Sequence, residues 1–432
     1  MLKRIKQLSP VRIIALGFAL VILLGSLLLM LPCSRKEDVS LKYIDSLYVS
    51  TSAVCVTGLI TVDPGDTFSV FGQIILAVLI QIGGLGVATC GAAVFLAIGK
   101  KFDLKSRNIL KEAYNLDTRK GIIQLLKTIL LTTTVIELTG AVLGFFVFIK
   151  DYPPLRAIGL SLFHAVSAFN NAGFDILGGF QSMVPYQDHL GMNLLTAALI
   201  ILGGIGFLVI REVIEKRFCW KKFSLQTKVV LSTTASLLIA GTLLFKLSED
   251  ITWLGAFFQS VTARTAGFAS YPLGEFTTPG LLVMCVLMVI GASPGSTGGG
   301  IKTTTFFVLL QGIKTAATNK EGKAFRYALP KDSFKKASVI TLLAVALVGI
   351  GTYLMMIMEP DLALRDVLFE MSSAFGTAGL STGITPSLSV GSKILSIVMM
   401  FIGRLGPMTI ATLWYFSRGE RVRYPEGELT IG

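Results

Sequence analysis

The chain contains the stretch Cys55-Val56-Thr57-Gly58-Leu59, and three similar stretches follow it: Asn170-Asn171-Ala172-Gly173-Phe174, Arg264-Thr265-Ala266-Gly267-Phe268 and Gly376-Thr377-Ala378-Gly379-Leu380. An aromatic residue stands ten positions before each central glycine: Tyr48, Phe163, Phe257 and Phe369. An apolar run follows each stretch and ends at a second glycine: Gly83, Gly203, Gly291 and Gly403. A fourfold glycine loop in an apolar protein predicts four segments of backbone that meet around one axis.

The composition indicates an integral membrane protein. Of the 432 residues, 53% are hydrophobic and 15% are charged, and the mean hydropathy is +0.72. Soluble domains carry about 25% charged residues. Eight apolar stretches reach the roughly 20 residues that a helix needs to cross a bilayer: residues 13–31, 68–98, 122–149, 192–215, 227–247, 279–315, 337–358 and 389–416. The first stretch runs into Pro32 and a charged loop without a small-residue cleavage site, so it is not a cleavable signal peptide.

The charged residues distinguish the two sides of the membrane. Most of the 39 Lys and Arg residues lie before residue 13, after residue 417, or in the segments 100–127, 211–228 and 314–336. The intervening loops hold acids such as Glu37, Asp63 and Glu249. This distribution predicts that both termini and three inner loops are cytoplasmic. It explains the net charge of +13 without a nucleic-acid partner.

Four shorter helices are predicted in the outer loops, at residues 41–54, 155–168, 250–262 and 362–374. Each is too short to cross the membrane, and a short helix that enters and a loop that returns to the same side fits them better. The sequence therefore predicts an all-α membrane protein of four repeats, each with an outer helix, a pore helix and an inner helix. The eight transmembrane helices and four re-entrant pore helices surround one pseudo-fourfold ion pore. The predicted repeats span residues 1–99, 100–218, 219–325 and 326–432.

The glycine loops are the predicted site of ion binding. Carbonyl groups point inward in succession only if some residues adopt backbone conformations that glycine tolerates. The carboxyl ends of the short helices carry partial negative charge, which favours a cation, and rings of carbonyls replace the hydration shell in potassium channels. The predicted filter comprises Val56, Thr57, Gly58, Asn171, Ala172, Gly173, Thr265, Ala266, Gly267, Thr377, Ala378 and Gly379, with a cation bound by the carbonyls of the four glycines. Small residues also permit close helix packing, so a non-conducting scaffold is an alternative.

A second site is predicted where the sixth apolar stretch is interrupted. Residues Gly291-Ala292-Ser293-Pro294-Gly295-Ser296-Thr297-Gly298-Gly299-Gly300 cannot remain helical, and a flexible loop below the third glycine loop is a candidate gate. Lys302 and Arg404 are predicted deep in the membrane, where a cation usually faces a wet cavity or a partner. The stretch Gly295–Thr303 also resembles a phosphate-binding loop. It fails by one residue and lacks the strand that should precede it, which disfavours a nucleotide-dependent enzyme.

Two further charged residues lie within the predicted apolar core. Glu137 is expected to pair with one of the two membrane cations or with a neighbouring hydroxyl group. Arg264 lies in the third glycine loop, and we expect its side chain to point away from the ion path and brace the loop. The five cysteines and two histidines show neither metal-ligand spacing nor a disulfide framework, and no cofactor is expected in the chain.

The sequence resembles the Trk/Ktr/HKT superfamily of cation transporters over nearly its whole length. The resemblance rests on the four glycine stretches, on two Gly-Gly-x-Gly motifs (Gly83–Gly86 and Gly203–Gly206), on Ile301-Lys302-Thr303-Thr304, on Phe401-Ile402-Gly403-Arg404, and on the tail Arg423-Tyr424-Pro425-Glu426-Gly427-Glu428. Within the superfamily the chain is most similar to the membrane subunits of bacterial Ktr potassium uptake systems.

The resemblance implies how the protein works. It implies four repeats folded like one potassium channel, a filter at Gly58, Gly173, Gly267 and Gly379, a gate at 291–300, and Arg404 below the filter. Glycine rather than serine at position 58 implies a preference for potassium over sodium. It also implies a homodimer in the bacterial cell membrane on a cytoplasmic ring of a separate, KtrA-like, nucleotide-binding partner. We therefore expect inward potassium transport, with a sodium-permeable or poorly selective channel as the alternative.

Overall fold

The structure is a computed structural model that describes residues 9–37, 39–97, 104–113, 121–319, 322–330 and 332–412. The tail motif at 423–428, both predicted cytoplasmic termini and the predicted repeat boundary at 99 lie outside the described residues. The other two predicted boundaries fall between helices, at 218, and in the turn of a small hairpin, at 325. The division into four repeats stays a prediction.

Helices dominate the described residues. In chain order they are α1 (Pro10–Leu29), α2 (Tyr43–Cys55), α3 (Pro64–Thr67), α4 (Val70–Leu85), α5 (Val87–Ala97), α6 (Leu104–Ala113), α7 (Ile122–Phe148), α8 (Pro154–Phe169), α9 (Leu190–Gly204), α10 (Phe207–Glu215), α11 (Leu225–Ser248), α12 (Trp253–Thr262), α13 (Thr278–Val289), α14 (Thr303–Thr318), α15 (Ser333–Met358), α16 (Leu364–Gly376), α17 (Val390–Leu405) and α18 (Pro407–Thr412). Between α14 and α15, the strands β1 (Lys323–Ala324) and β2 (Tyr327–Ala328) pair antiparallel.

Four of the described helices, α1, α7, α11 and α15, are long and apolar enough to cross a membrane. Serine residues cap the first turns of α1 and α11, where Ser9 and Ser224 accept hydrogen bonds from backbone N–H groups. Large apolar side chains on these helices remain exposed; Leu131 on α7 and Leu342 on α15 are 67% and 72% exposed. Continuous apolar faces of this kind need lipid or protein to cover them.

Two of the other predicted apolar stretches, 68–98 and 192–215, are bent, and the described part of a third, 389–416, is broken at a glycine of the same conformation. Helix α4 meets α5 at 104° and α9 meets α10 at 98°. The breaks lie at Gly86, Gly206 and Gly406, which share φ of 86°, 94° and 89° and ψ of 138°, 140° and 139°. Side chains with a β carbon rarely adopt this conformation. If each of the two bent pairs is counted as one span, the described residues give six candidate spans. The architecture of eight transmembrane helices stays a prediction.

The short helices α2, α8, α12 and α16 occupy the four segments where short helices were predicted. They form the interior of the molecule, because most of their side chains are buried. The aromatic residues that precede each glycine loop contribute to this core: Tyr48 and Phe369 are fully buried, and Phe163 is 5% exposed. Because each short helix is buried, the glycine loop that follows it also lies in the interior of the protein.

Candidate functional site

The four glycine loops have the same backbone conformation. The central glycines all have positive φ: 100° at Gly58, 69° at Gly173, 83° at Gly267 and 82° at Gly379. The residue two positions earlier is also left-handed in every loop, with φ of 56° at Val56, 56° at Asn171, 70° at Thr265 and 50° at Thr377. A left-handed conformation is uncommon for any residue other than glycine and is an outlier for β-branched residues. Each such residue stores about 1–3 kcal/mol of strain, which the surrounding structure must hold.

The four loops converge on one point in cyclic order. A β carbon added to Gly58 would lie 2.6 Å from the carbonyl oxygen of Ala172 in the second loop. A β carbon added to Gly173 would lie 2.8 Å from the carbonyl oxygen of Ala266. A β carbon added to Gly267 would lie 2.9 Å from the carbonyl oxygen of Ala378. At Gly379 the added atom would collide with the carbonyl oxygen of Thr57, which returns to the first loop. Each glycine thus faces the carbonyl that precedes the glycine of the next loop.

Backbone hydrogen bonds tie each loop to the helix before it. The N–H groups of Thr57, Ala172, Ala266 and Ala378 donate to carbonyls in the last turns of α2, α8, α12 and α16, at 2.8, 2.8, 3.0 and 2.9 Å. Serine hydroxyls add a second tie in two loops: Ser52 accepts from Gly58 N–H at 3.0 Å, and Ser167 accepts from Phe174 N–H at 2.9 Å. The negative ends of four helix dipoles therefore lie next to the converging carbonyls, an arrangement that favours a cation.

After three of the four glycine loops, the second glycine lies against the end of a short helix. A β carbon on Gly83, Gly203 or Gly403 would collide with the carbonyl oxygen of Val54, Phe169 or Phe375, respectively. Each of these carbonyls belongs to the residue four positions before a central glycine. Glycine at this spacing is therefore required by the close approach of the bent helix to the short helix.

The segment Gly291–Gly300, which we call the gate loop, lies directly beside two glycine loops. Gly299 N–H donates to the hydroxyl of Thr377 at 3.0 Å, and a β carbon on Gly298 would collide with the hydroxyl of Thr265. On the other side, Ser293 N–H donates to the carbonyl of Gly204 at 3.0 Å. Most of the loop is buried, with Pro294, Gly295 and Ser296 partly exposed. The gate loop thus bridges the third and fourth glycine loops and the end of α9.

The two predicted membrane cations both bind carbonyls of the gate loop. The Lys302 ammonium donates to Gly298 at 2.8 Å and to Gly299 at 3.3 Å. The Arg404 guanidinium, on α17, donates to the carbonyls of Thr297 and Gly83, and to that of Gly84 at 3.3 Å. Arg404 therefore joins the gate loop to the end of α4.

Glu137 bonds to amides, which corrects the expectation of a cation or hydroxyl partner. Its carboxylate accepts from the side-chain amides of Asn170, at 3.0 Å, and Gln81, at 3.3 Å. Asn170 also donates to the Gln81 carbonyl oxygen at 2.7 Å. These three residues connect α7, α8 and α4 beside the second glycine loop.

Sequence analysis missed two acids inside the short helices. Glu370 on α16 is fully buried and accepts hydrogen bonds from Thr385 at 2.6 Å and Ser381 at 2.9 Å. Asp45 on α2 forms a 2.8 Å ion pair with Lys393 on α17. An acid between two apolar residues, Phe369 and Met371, was the available signal for Glu370, whereas Asp45 lies between Ile44 and Ser46 and gave no such signal.

Three carboxylates follow the first two glycine loops in the sequence: Asp63, Asp66 and Asp175. Asp63 and Asp66 accept hydrogen bonds from Phe180 and Gly179 N–H groups, both at 2.7 Å. Asp175 follows the second loop by two residues and is 8% exposed. Burial, with the charges of Asp63 and Asp66, raises the pKa of Asp175 from 3.8 to about 7, although a hydrogen bond from Leu177 N–H opposes the shift. Asp175 therefore changes charge near neutral pH.

Comparison with known proteins identifies the relatives of this chain. Residues 11–418 match the family TrkH, described as a cation transport protein. The Ktr system potassium uptake protein B of Bacillus subtilis is 38% identical over 99% of this chain and 97% of its own length. The potassium/sodium uptake protein NtpJ of Enterococcus hirae is 38% identical over 100% of this chain and 99% of its own length.

Solved structures give the same assignment of fold. The crystal structure of the potassium transporter TrkH from Vibrio parahaemolyticus superposes with a TM-score of 0.74, over 95% of this chain and 86% of that one, at 17% sequence identity. The match to the family covers nearly the whole chain, and the identity to full-length relatives exceeds 30%. The chain therefore belongs to the TrkH family of cation transport proteins.

Proposed function

We propose that this protein takes up potassium across the bacterial cell membrane through a filter formed by its four glycine loops. The observation that carries the proposal is the cyclic contact among the loops, in which each central glycine faces a carbonyl of the next loop. Rings of carbonyl oxygens can replace the hydration shell of a potassium ion. The relatives from Bacillus subtilis and Vibrio alginolyticus are named potassium uptake proteins, which supports the same ion here.

The filter would comprise Val56–Gly58, Asn171–Gly173, Thr265–Gly267 and Thr377–Gly379, with K⁺ held by backbone carbonyls. Only glycine at the third position of each loop lets the neighbouring carbonyl approach so closely. The membrane potential would drive the ion inward, at about 2.3 kcal/mol per elementary charge and 100 mV. Such transport needs no catalytic residue and no cofactor in this chain.

The gate loop would close the path below this filter. Its contacts with Thr377 and Thr265 place it against the third and fourth loops, and Lys302 and Arg404 hold its carbonyls. Two positive charges near the path would also oppose a passing cation. Gly291, Ser293, Pro294, Gly295, Ser296, Thr297, Gly298, Gly299 and Gly300 are the proposed gate residues, together with Lys302 and Arg404.

A poorly selective or sodium-permeable channel is the second candidate. The loops differ at their first position, where Val56 lacks the side-chain oxygen that Asn171, Thr265 and Thr377 carry. An imperfect fourfold ring discriminates less well between ions of similar size. The relative named a potassium/sodium uptake protein is consistent with this candidate.

The protein's surroundings are also part of the proposal. The excess of Lys and Arg in the inner loops supports cytoplasmic termini. The Ktr system of the named relatives supports a separate regulatory partner. We propose that the chain forms a homodimer on a KtrA-like cytoplasmic ring, which would bind the nucleotide.

Rubidium uptake into proteoliposomes tests the filter and the gate together. The purified chain should admit ⁸⁶Rb⁺ under an inward-directed membrane potential, and external potassium should compete better than sodium. Deletion of residues 292–299 should raise the initial rate while it leaves the potassium-to-sodium ratio unchanged. The two ends of the deletion can be joined with little movement, because a β carbon on Gly300 would lie 3.1 Å from the α carbon of Gly291.

Each result has a distinct meaning. A chain without ⁸⁶Rb⁺ uptake would be a scaffold rather than a pathway. Competition by sodium equal to that by potassium would favour the poorly selective channel. A deletion variant no faster than the intact protein would refute the gate, and labelled ATP bound by the isolated chain would revive the nucleotide site at Gly295–Thr303.

A further inference from the structure

Arg264 is a buried cation that the proposed transport does not use. It lies two residues after the end of α12, at the start of the third glycine loop, and is 7% exposed. Its side chain lines a small cavity together with Asn171, Gly204, Thr234 and Ala292. The cavity lies on the side of the loop that faces the long helix α11, to which Thr234 belongs. On the other side of the loop, Gly267 faces Gly173 and the carbonyl of Ala378. Arg264 therefore points behind the loop, away from the point where the four loops converge.

No carboxylate neutralises this guanidinium among the residues that the structure describes. The ion pairs there involve other residues, and the Arg264 Nε atom has no hydrogen-bond partner in the described chain. A buried charge without a partner normally destabilises a protein. Three helices end close by: α9 at Gly204, which lines the same cavity, α12 at Thr262 and α13 at Val289. The partial negative charges of these carboxyl ends stabilise the cation in place of an acid.

Within the described part of the chain, the guanidinium donates a single hydrogen bond, and it goes to the gate loop. Its Nη2 atom donates to the carbonyl oxygen of Gly291 at 3.2 Å. Gly291 is the first residue of the gate loop and follows the broken end of α13. Lys302 and Arg404 hold the same loop near its other end, at Gly298, Gly299 and Thr297. Arg264 is thus the contact that joins the start of the gate loop to the third glycine loop.

We propose that Arg264 is a positioning residue that holds the gate loop closed through the Gly291 carbonyl. The proposal rests on the proposed gate at residues 291–300. Because the side chain touches the gate loop and lies off the ion path, it controls how often the gate opens and leaves the choice of ion unchanged. Its removal frees one end of the loop, and the open state becomes more populated.

Initial rates of ⁸⁶Rb⁺ uptake by the full chain in proteoliposomes test the proposal. Arg264→Gln removes the charge and the donor fork, and Arg365→Gln is the control, because Arg365 is exposed on α16. Both variants are made in the intact chain and in the chain that lacks residues 292–299. Loss of a hydrogen bond to a charged donor shifts a two-state equilibrium by roughly tenfold or more. We expect Arg264→Gln to raise the uptake rate of the intact chain by up to roughly tenfold. The uptake rate of the deletion chain should not change.

The ion selectivity separates a gate contact from a filter contact. The ratio of potassium to sodium competition should stay constant in Arg264→Gln. A changed ratio, an unchanged rate in the intact chain, or the same rate increase in both chains would overturn the inference. If the deletion itself conducts no faster than the intact protein, the proposed gate fails, and that result does not depend on Arg264.

A second pair of variants serves if Arg264→Gln does not yield folded protein by size-exclusion chromatography. Arg264→Lys keeps the charge but loses the planar fork. Gly291→Ala adds a β carbon that collides with the Gly299 carbonyl, so it disturbs the same junction without touching the arginine. Each should raise the uptake rate, and the double variant should be no faster than the faster single variant. Independent, multiplicative effects would contradict a shared contact.

Discussion

Single residues in left-handed conformations shape the candidate filter. Sequence analysis predicted the four glycines, because their spacing repeats, but it gave no sign that Val56, Asn171, Thr265 and Thr377 are also left-handed. Three of these are β-branched, and their intrinsic preference opposes this conformation. Tertiary contacts override the preference: each loop is hydrogen-bonded to its helix and packed against its neighbours. Such strain is invisible in a sequence pattern.

Substitution of Gly58 should change ion selectivity. Gly58→Ser adds a β carbon that would stand 2.6 Å from the Ala172 carbonyl, so the carbonyl must move and the ring becomes irregular. We expect sodium permeation to rise relative to that of rubidium in proteoliposomes. Gly58→Ala adds the same β carbon without the hydroxyl group and should raise relative sodium permeation to a similar extent, so it shows whether the β carbon alone is responsible. An unchanged ratio in Gly58→Ser would remove Gly58 from the filter.

Asp175 should make ion entry sensitive to external pH. Burial raises its pKa to about 7, so the side chain is mostly neutral at pH 6 and mostly charged at pH 8. Because the folded protein keeps the proton up to about pH 7, the stability that this group contributes is full below pH 3.8 and is lost as the pH rises through 7. The charged carboxylate, beside Asp63 and Asp66, should attract cations that enter the proposed path.

The measurement is the KM for external ⁸⁶Rb⁺ at low ionic strength. A unit charge about 4 Å from a cation in water contributes about 1 kcal/mol, so the KM should fall by at most roughly fivefold from pH 6 to pH 8. Asp175→Asn should show a flat profile across this range. A variant with the same pH dependence as the native chain would assign the effect to another group.

Among the elements, the bent helices were the least predictable. Apolar composition continues through Gly86, Gly206 and Gly406, so the hydropathy pattern shows three uninterrupted stretches. Each break lies three residues after a glycine that packs against the end of a short helix, namely Gly83, Gly203 or Gly403. The motif Gly-Gly-x-Gly was visible in the sequence, but its consequence depends on contacts between distant segments.

The three bend glycines offer a matched comparison. Alanine at Gly86 or Gly406 would strain the backbone, at a cost of about 1–3 kcal/mol, and would meet no atom closer than 3.9 or 3.8 Å. Alanine at Gly206 would have the same strain and would also stand 2.6 Å from the Pro294 carbonyl in the gate loop. We expect Gly206→Ala to raise ⁸⁶Rb⁺ uptake more than Gly86→Ala does. Equal rates in the two variants would show that the Pro294 contact does not control the gate.

The ion pair between Asp45 and Lys393 joins α2 to α17. The two atoms are 2.8 Å apart, and the side chains are 11% and 10% exposed. Removal of one partner leaves a buried charge unpaired, which costs about 3–5 kcal/mol. Asp45→Asn and Lys393→Met should each lower the apparent Tm in detergent, and the double variant should recover part of the loss. Additive losses in the double variant would show that the pair does not interact.

At the scale of the whole molecule, the sequence predicted the class of the protein and the elements that repeat. The long helices α1, α7, α11 and α15 and the four short helices lie where periodicity and composition predicted them. The central position of the glycine loops was inferred from repetition alone. The gate loop was predicted as a break, yet its contacts with Thr377, Gly204 and Arg404 depend on residues far apart in the chain.

The cyclic contact between the loops has a consequence for the connectivity of the chain. The fourth loop meets the first through Gly379 and Thr57, and the pair Asp45–Lys393 joins the same two regions across 348 residues of sequence. Non-covalent contacts between the fourth and first glycine loops therefore close the ring of four loops. The covalent order of the segments is thus one of several that could trace the same ring.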